Sequence, residues 1–396
     1  MTADTPAKYG GEPIREDVLG YGSQSITEAE KSAVLDVLDG DYITRGPTVE
    51  EFEDRVSDLV DVDHAIATTS GTTALHLAGR AAGFESDDEV ITTPLTFAAT
   101  AHTATYSEAT PVFADIDPNR RTLDPESVRA RITDKTVGLV PMHYGGHPAD
   151  IEGLLEVADE HNLTVIWDAC HAFGGSWNGE PIGSQRDMAV FSFHPVKNIT
   201  TGEGGMVVTD DDDLARRLRH LRSFDMNYEP DGHESEPWYQ VVEGVGYNYN
   251  ITDIQAALGL AQLDRLEEFK QRRDEIITQY DDALGEISGI RTPPNPVESD
   301  PMYHLYAVEV RDELGCDRQE FVNAMHAENI GVQVHYVPLH FHPFFQEEFG
   351  YQRGMFPETE RVYEGLVSLP LHPEMDDEDV EDVITAVRRL DAYHRP

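Results

Sequence analysis

FSFHPVKNITTGEGGMVV, residues 191–208, places one lysine, Lys197, in a polar, glycine-ended loop between two apolar runs. The flanking runs, MAVFSF (188–193) and GMVVTD (205–210), each have the length of a buried strand. Five more precede them: AIATT (65–69), EVITT (89–93), PVFAD (111–115), VGLVP (137–141) and TVIWD (164–168). The runs alternate with helix-sized segments. This pattern predicts an α/β fold built on one large, mainly parallel seven-stranded sheet covered by helices. In open sheets of this kind ligands gather at the carboxyl ends of the strands, where the unusual residues of this chain fall. Neither GxGxxG nor GxxxxGK[ST] stands at a strand end, so dinucleotide and P-loop folds lack their fingerprints.

Outward from the sheet, residues 1–25 are rich in Gly and Pro and read as an extended arm. Thr27 with Glu30 forms a capping-box pattern ahead of apolar Val34, Leu35 and Leu38. Val49, Phe52, Val56 and Leu59 recur at helical spacing. Both segments read as ordinary packing helices. Asp210 to Asp213 precede LARRLRHLR, an acidic start and basic end that match a helix dipole. A polar loop is expected over 229–236, then VGYNYNITD, then a long helix with Ile254, Ala257, Leu258, Ala261 and Leu266 on one face. Beyond Pro293, Pro294 and Pro296 the remainder reads as a smaller α+β unit. Its expected strands are HLYAVEV (304–310) and GVQVHY (331–336), its helices DRQEFVNAMHAENI and EDVEDVITAVRRL. The chain thus divides into an arm (1–25), a large domain (26–265) and a small C-terminal domain (266–396).

Composition narrows the function. The 396 residues carry 75 Asp and Glu against 29 Lys and Arg, a formal net charge of -46. Phosphate polyanions and acidic lipid would be repelled, which argues against a nucleic-acid or membrane partner. The acidic residues are spread between regular apolar runs, so a disordered acidic tail does not explain the charge. Cys170 and Cys316 are too few for a disulfide framework and lack metal-ligand spacing, so no metal is expected. No stretch approaches the roughly 18 apolar residues of a membrane span, and the polar start has no signal-peptide core. A reducing cytoplasm is the expected location.

Lysine occurs only at positions 8, 31, 135, 197 and 270. Taken alone, Lys197 reads most simply as a loop lysine in a salt bridge; its chemical use would be an imine with a carbonyl, which needs an unprotonated amine. Asp168 ends the strand TVIWD, where a carboxylate is costly unless it meets a cation, and a pyridinium nitrogen is one such cation. His171 follows three residues on, either as a contact to a cofactor's ring face or phenolic oxygen or as a structural histidine. SGTTALHLA (70–78) puts small hydroxyl residues and a glycine at a helix start, either as a phosphate cradle or as a plain cap. Gly202, Gly204 and Gly205 are expected to let the lysine loop turn sharply.

Together and in this order, these stretches resemble a pyridoxal-phosphate enzyme of aminotransferase fold type I, and more narrowly the DegT/DnrJ/EryC1/StrS family of nucleotide-sugar aminotransferases. The resemblance runs from GSQSITEAE and DGDYITRGP through SGTTALHLA, ITTPLTFAAT, WDACHAFGG, FSFHPVKNITTGEGG and GYNYNITDIQAALGLAQL to QVHYVPLH. Within the family, the lysine loop and QVHYVPLH look most like the UDP-4-amino-4,6-dideoxy-N-acetyl-beta-L-altrosamine transaminases. The resemblance implies pyridoxal 5'-phosphate as cofactor in the large domain, Lys197 as the imine-forming and proton-shuttling residue, and Asp168 on the pyridine nitrogen. It implies Phe97 stacked on the ring, Gly71, Thr72 and Ser192 on the phosphate, and Asn248 completing that phosphate site from the second subunit of a homodimer. Tyr21, Tyr42, Ile43, Thr44, Gln333, Val334, His335 and Tyr336 match segments that face the sugar nucleotide. His171 stands where many members carry glutamine, whereas the altrosamine-type enzymes carry histidine.

The implied reaction moves an amino group from L-glutamate to the C4 ketone of a UDP-4-keto-6-deoxy-N-acetylhexosamine. Alternatives are a dTDP- or GDP-linked keto sugar, a small amino alcohol, and a cofactor-binding regulator without turnover. A sugar dehydratase on the same scaffold is disfavoured by Lys197, since those relatives carry histidine there. The acidic, lysine-poor surface is expected in a salt-accumulating cell, because screening shortens to about 3 Å at 1 M salt. Structure should therefore be lost in dilute buffer; a melting curve unchanged from millimolar to molar potassium chloride would contradict this.

Overall fold

All seven apolar runs form strands of one sheet: β1 (His64–Thr68), β2 (Glu89–Thr92), β3 (Thr110–Phe113), β4 (Thr136–Val140), β5 (Thr164–Asp168), β6 (Met188–Ser192) and β7 (Gly205–Thr209). The computed structural model describes residues 5–228, 235, 236, 238–294, 296 and 298–395, so most of the loop expected over 229–236 lies outside the described residues. Strand order is β1-β7-β6-β5-β4-β2-β3. Pairing is parallel from β6 to β3, while β7 runs antiparallel to both β1 and β6. Alternate residues face opposite cores: Ala65, Ala67, Val165, Trp167, Ala189 and Phe191 on one side, Ile66, Ile166 and Val190 on the other. Both faces are covered, which is why the runs are apolar throughout and do not alternate.

Helices α1 (Glu28–Leu38), α2 (Pro47–Val60), α3 (Gly71–Ala81), α4 (Ala98–Thr105), α5 (Ile151–His161) and α6 (Asp212–Arg222) connect or flank these strands. The Thr27–Glu30 capping box starts α1, and Asp211 caps α6 by accepting from the N–H groups of Asp213 and Leu214. Helix α2 buries Val49, Phe52 and Val56 as expected, whereas Leu59 is exposed and Val60 is buried beside it. Helix α1 packs through buried Glu30, which meets Gln262 and Arg265, but its Leu35 and Leu38 do not take part and are 59% and 52% exposed. The expected long helix is two, α7 (Asp253–Leu263) and α8 (Leu266–Leu284). Its buried side carries Ala256, Ala257, Gly259 and Leu263; of the expected face only Ala257 is buried, and Ile254, Leu258, Ala261 and Leu266 are half-buried. The reason is Gly259, where a Cβ would lie 2.7 Å from the Phe52 ring, so the helix seats on α2 through its glycine.

The C-terminal unit has an antiparallel sheet of β8 (Ile290–Arg291), β9 (Tyr306–Val310) and β10 (Leu366–Leu369). Helices α8, α9 (Arg318–Ala327) and α10 (Asp377–His394) share its core with β9 and β10. The expected strand GVQVHY is absent: only Gln333 bridges Ser368. Its next carbonyl partner is a side chain, since the Tyr144 hydroxyl donates to the backbone oxygen of His335, and the segment leaves the sheet there. The N-terminal arm is pinned to this unit. Glu328 accepts from the N–H groups of Ala7 and Ile14, Arg15 pairs with Asp379 and Asp382, and Leu19 bridges Ile330.

A buried ion pair joins the two cores. Arg121, 1% exposed, lies 2.9 Å from Glu309 on β9 and also donates to the carbonyl oxygens of Ala307 and Thr292. Arg121→Met should lower unfolding free energy by about 3 kcal/mol, because a buried carboxylate loses its most enclosed partner. Pairing it with Glu309→Leu should recover most of that loss in urea titrations. A single-variant loss below about 1 kcal/mol would contradict the assignment.

Candidate active site

The carboxyl ends of β1, β5 and β6 and the segments that follow them open into a cavity of about 600 Å³. Gly71, Thr72, Asp168, His171, Ser192 and Lys197 all line it. Four further expected residues, Tyr21, Phe97, His335 and Tyr336, also line it. The pinned arm delivers Tyr21, whose carbonyl accepts the N–H of Leu371. Tyr42, Ile43 and Thr44 lie outside this cavity and are exposed. So are Gln333 and Asn248, and Val334 does not line the cavity either.

The carboxylate of Asp168 is 2% exposed and oriented by two donors. Thr100 Oγ1 donates to Oδ2 at 2.6 Å and the Cys170 N–H to Oδ1 at 3.1 Å. Thr96 stands 2.6 Å behind Thr100. The amine of Lys197 is driven below its ordinary range by burial, with Cys170 and Asp168 opposing the shift. A larger fraction of unprotonated amine results, the form that attacks a carbonyl.

Helix α3 begins against this wall. Ser70 and Thr73 form its capping box, so the N–H of Thr73 is taken by Ser70 Oγ while those of Gly71 and Thr72 have no acceptor among the described residues. A Cβ at Gly71 would lie 2.8 Å from Ser192 Cβ and 3.1 Å from Cys170 Sγ. At Gly205 it would fall 2.4 Å from the backbone of Ser70. The two glycines therefore let β6, β7 and the helix start close into an anion cradle. Of the loop glycines expected to turn the chain, only Gly202 has a positive φ, 81°; Gly204 and Gly205 are needed for space.

Three histidines surround the lysine. His171 and His304 are held well below the ordinary histidine range, both by burial first and then by Lys197. His335 is pushed down to about 4 by burial and Lys197. Their rings are neutral near pH 7. His304, Thr100, Cys170 and Glu203 are site residues the sequence reading passed over. Thr100 lies in ITTPLTFAAT three residues after Phe97, but a threonine within a helix carries no signal of its own. His304 stood inside an expected strand. Away from the cavity, ligand atoms of His220, Asp225 and Glu243 lie within 4.8 Å of one another. Asp225 is paired with Arg217 and His220 with Glu243, so these charges are already met by protein groups.

The donor set fits pyridoxal phosphate: an amine held below its ordinary range for its aldehyde, a buried carboxylate for its ring nitrogen, and free N–H groups beside Ser192 for its phosphate. Comparison with known proteins agrees. A model of the DegT/DnrJ/EryC1/StrS aminotransferase family matches residues 24–388. The chain is 42% identical to the spore coat polysaccharide biosynthesis protein SpsC of Bacillus subtilis over 384 residues, 95% of this chain and 98% of that one. Its structure is similar to Helicobacter pylori PseC, an aminotransferase involved in the biosynthesis of pseudoaminic acid, with a TM-score of 0.89, 28% identity, and coverage of 95% and 100%. The PLP-form of Streptococcus pneumoniae Spr1654 matches with a TM-score of 0.89 at 28% identity, covering 96% of this chain and 100% of that one.

Thr100→Val removes one charge-assisted donor from Asp168 without changing shape, a loss of about 1.5 kcal/mol. Pyridoxal phosphate should bind about tenfold more weakly in a fluorescence titration of the apoprotein. Unchanged affinity would show that Thr100 does not hold Asp168 for the ring.

Proposed function

The chain belongs to the DegT/DnrJ/EryC1/StrS aminotransferase family and is a pyridoxal-phosphate-dependent sugar aminotransferase of nucleotide-sugar biosynthesis; from that premise we propose that it aminates the C4 ketone of a UDP-linked 4-keto-6-deoxy-N-acetylhexosamine, with L-glutamate as donor. The observation that carries the catalytic part is the depressed amine of Lys197 in one cavity with the buried carboxylate of Asp168. The substrate part is supported by QVHYVPLH, which contributes His335 and Tyr336 to the wall, and by similarity to PseC.

When bound, pyridoxal phosphate supplies an aldehyde that captures the amine and a ring that accepts electrons. Lys197 Nζ would hold the aldehyde and hold or pass a proton at the reacting carbon. Asp168 would hold the ring nitrogen. Phe97 would cover the ring, and the N–H groups of Gly71 and Thr72 with Ser192 would hold the phosphate. Tyr21, His335 and Tyr336 enclose the sugar side and reduce its contact with water.

We further propose a homodimer with shared sites. Asn248, Tyr42, Ile43 and Thr44 are exposed and away from their own cavity, and Leu35, Leu38 and Val245 present apolar surface. In that arrangement Asn248 of a second copy completes the phosphate site, and residues 42–44 with Gln333 and Val334 border the nucleotide. The division at residues 25/26 and 265/266 belongs to the same reading, as does a salt-rich cytoplasm for so acidic a surface. Among the described residues no helix is long and apolar enough to cross a membrane.

Lys197→Ala and Lys197→Arg should each abolish turnover; near-normal rates in either refute the role. In the wild type the cofactor's absorbance band should bleach with L-glutamate and return with a UDP-4-keto sugar. A band that never cycles identifies a binding protein without turnover, and return only with dTDP- or GDP-sugars corrects the nucleotide.

A further inference from the structure

We propose that Tyr336 presents its hydroxyl proton to a negatively charged oxygen of the ligand beside Lys197, through a one-directional hydrogen-bond chain that starts at the Gly145 N–H and passes through His171. The chain itself is a property of the protein; the identity of its last acceptor rests on the functional reading above.

The direction follows from donor and acceptor chemistry. The backbone N–H of Gly145 lies 3.3 Å from His171 Nδ1, and an N–H can only donate. Nδ1 must therefore offer its lone pair. His171 is 1% exposed and neutral, so its single ring proton sits on Nε2. Nε2 is 3.0 Å from Tyr336 Oη, which makes Oη the acceptor of that bond. The reverse arrangement would set two N–H groups against each other at Gly145. The proton of Tyr336 is thus turned away from His171, has no other acceptor among the described residues, and belongs to a side chain that lines the cavity. Burial raises the Tyr336 phenol far above its usual range, so it remains a donor.

Two consequences separate this chain from a proton relay. It begins at a backbone amide, which does not release its proton, so no net proton can travel along it. It acts as a fixed dipole, and successive hydrogen bonds in one direction reinforce each other in a buried site. Such a preorganised donor stabilises an oxygen that carries negative charge. Both ring nitrogens of His171 are engaged, so His171 touches a ligand only by its ring, and Tyr336 supplies the hydrogen bond. Supporting contacts hold the pair: the ring of His304 lies 4.4 Å from that of His171, Phe97 5.8 Å from Tyr336, and Tyr144 donates to the carbonyl of His335. Two oxygens within such a site carry the charge required: the phenolic oxygen of pyridoxal phosphate, or the ketone oxygen of the sugar as it takes up the amine.

The test begins with the apoprotein labelled with 15N-histidine. Long-range proton–nitrogen spectra should show His171, assigned by its loss in His171→Gln, with the proton on Nε2, and Tyr336→Phe should shift that resonance. A proton on Nδ1, or on both nitrogens, overturns the proposal whether or not the cofactor reading is right. In the loaded enzyme Tyr336→Phe distinguishes the acceptors. If it is the phenolic oxygen, the pH titration of the cofactor's absorbance moves upward by about one unit. If it is the ketone oxygen, that titration stays fixed and kcat/KM falls about tenfold for the keto-sugar half-reaction alone. If neither change is seen, the proposal is overturned. Glutamine offers an acceptor and a donor at its two ends, so His171→Gln should retain the Tyr336 signature, whereas His171→Leu should lose it as Tyr336→Phe does. Failure to bind pyridoxal phosphate would refute the functional reading while leaving the tautomer result standing.

Discussion

The site depends on how poorly one amine is solvated. Lys197 is half-buried against the carboxyl ends of the strands, which disfavours its ammonium form, and Asp168 only partly opposes that effect. The amine is consequently poised to lose its proton. Everything that makes this burial possible is close packing at the carboxyl ends of the strands. Gly71 and Gly205 have no side chains where a Cβ would collide with Ser192 and the Ser70 backbone, so helix start and sheet close around the loop. The opposite wall comes from the C-terminal unit and from the arm pinned to it.

The sheet was legible because its physics is local and repeated. A strand covered on both faces must be apolar throughout, and seven such runs mark seven strands. The positions of Lys197, Asp168 and the SGTT turn at strand ends followed from the same pattern. The strand expected over GVQVHY was not formed, because apolar alternation cannot register that a tyrosine 191 residues away takes the carbonyl of His335. For the same reason Thr100 and His304 passed unnoticed. Their importance lies in what they touch across the fold, not in their own neighbourhoods. Helix α1 differs in another way: its apolar Leu35 and Leu38 point away from the chain's own core and stay exposed.

The two cores are linked by groups that a simple packing argument would avoid. Arg121 and Glu309 are buried together, and the arm is tied by Glu328, itself 1% exposed. Buried pairs of this kind contribute little net stability but penalise wrong arrangements, since any displacement strands a charge. Fixing the C-terminal unit against the sheet also fixes His335 and Tyr336 relative to Lys197. That relationship matters more to the chemistry than the stability of either unit.

The most direct measurement is to load the protein with pyridoxal phosphate, reduce the protein–cofactor bond with borohydride, and map the modified residue by peptide mass. The chain has five lysines, so the outcome is unambiguous. The account predicts a pyridoxyl group on Lys197 alone. Modification of Lys8, Lys31, Lys135 or Lys270 with Lys197 untouched, or no modification at all, would contradict it.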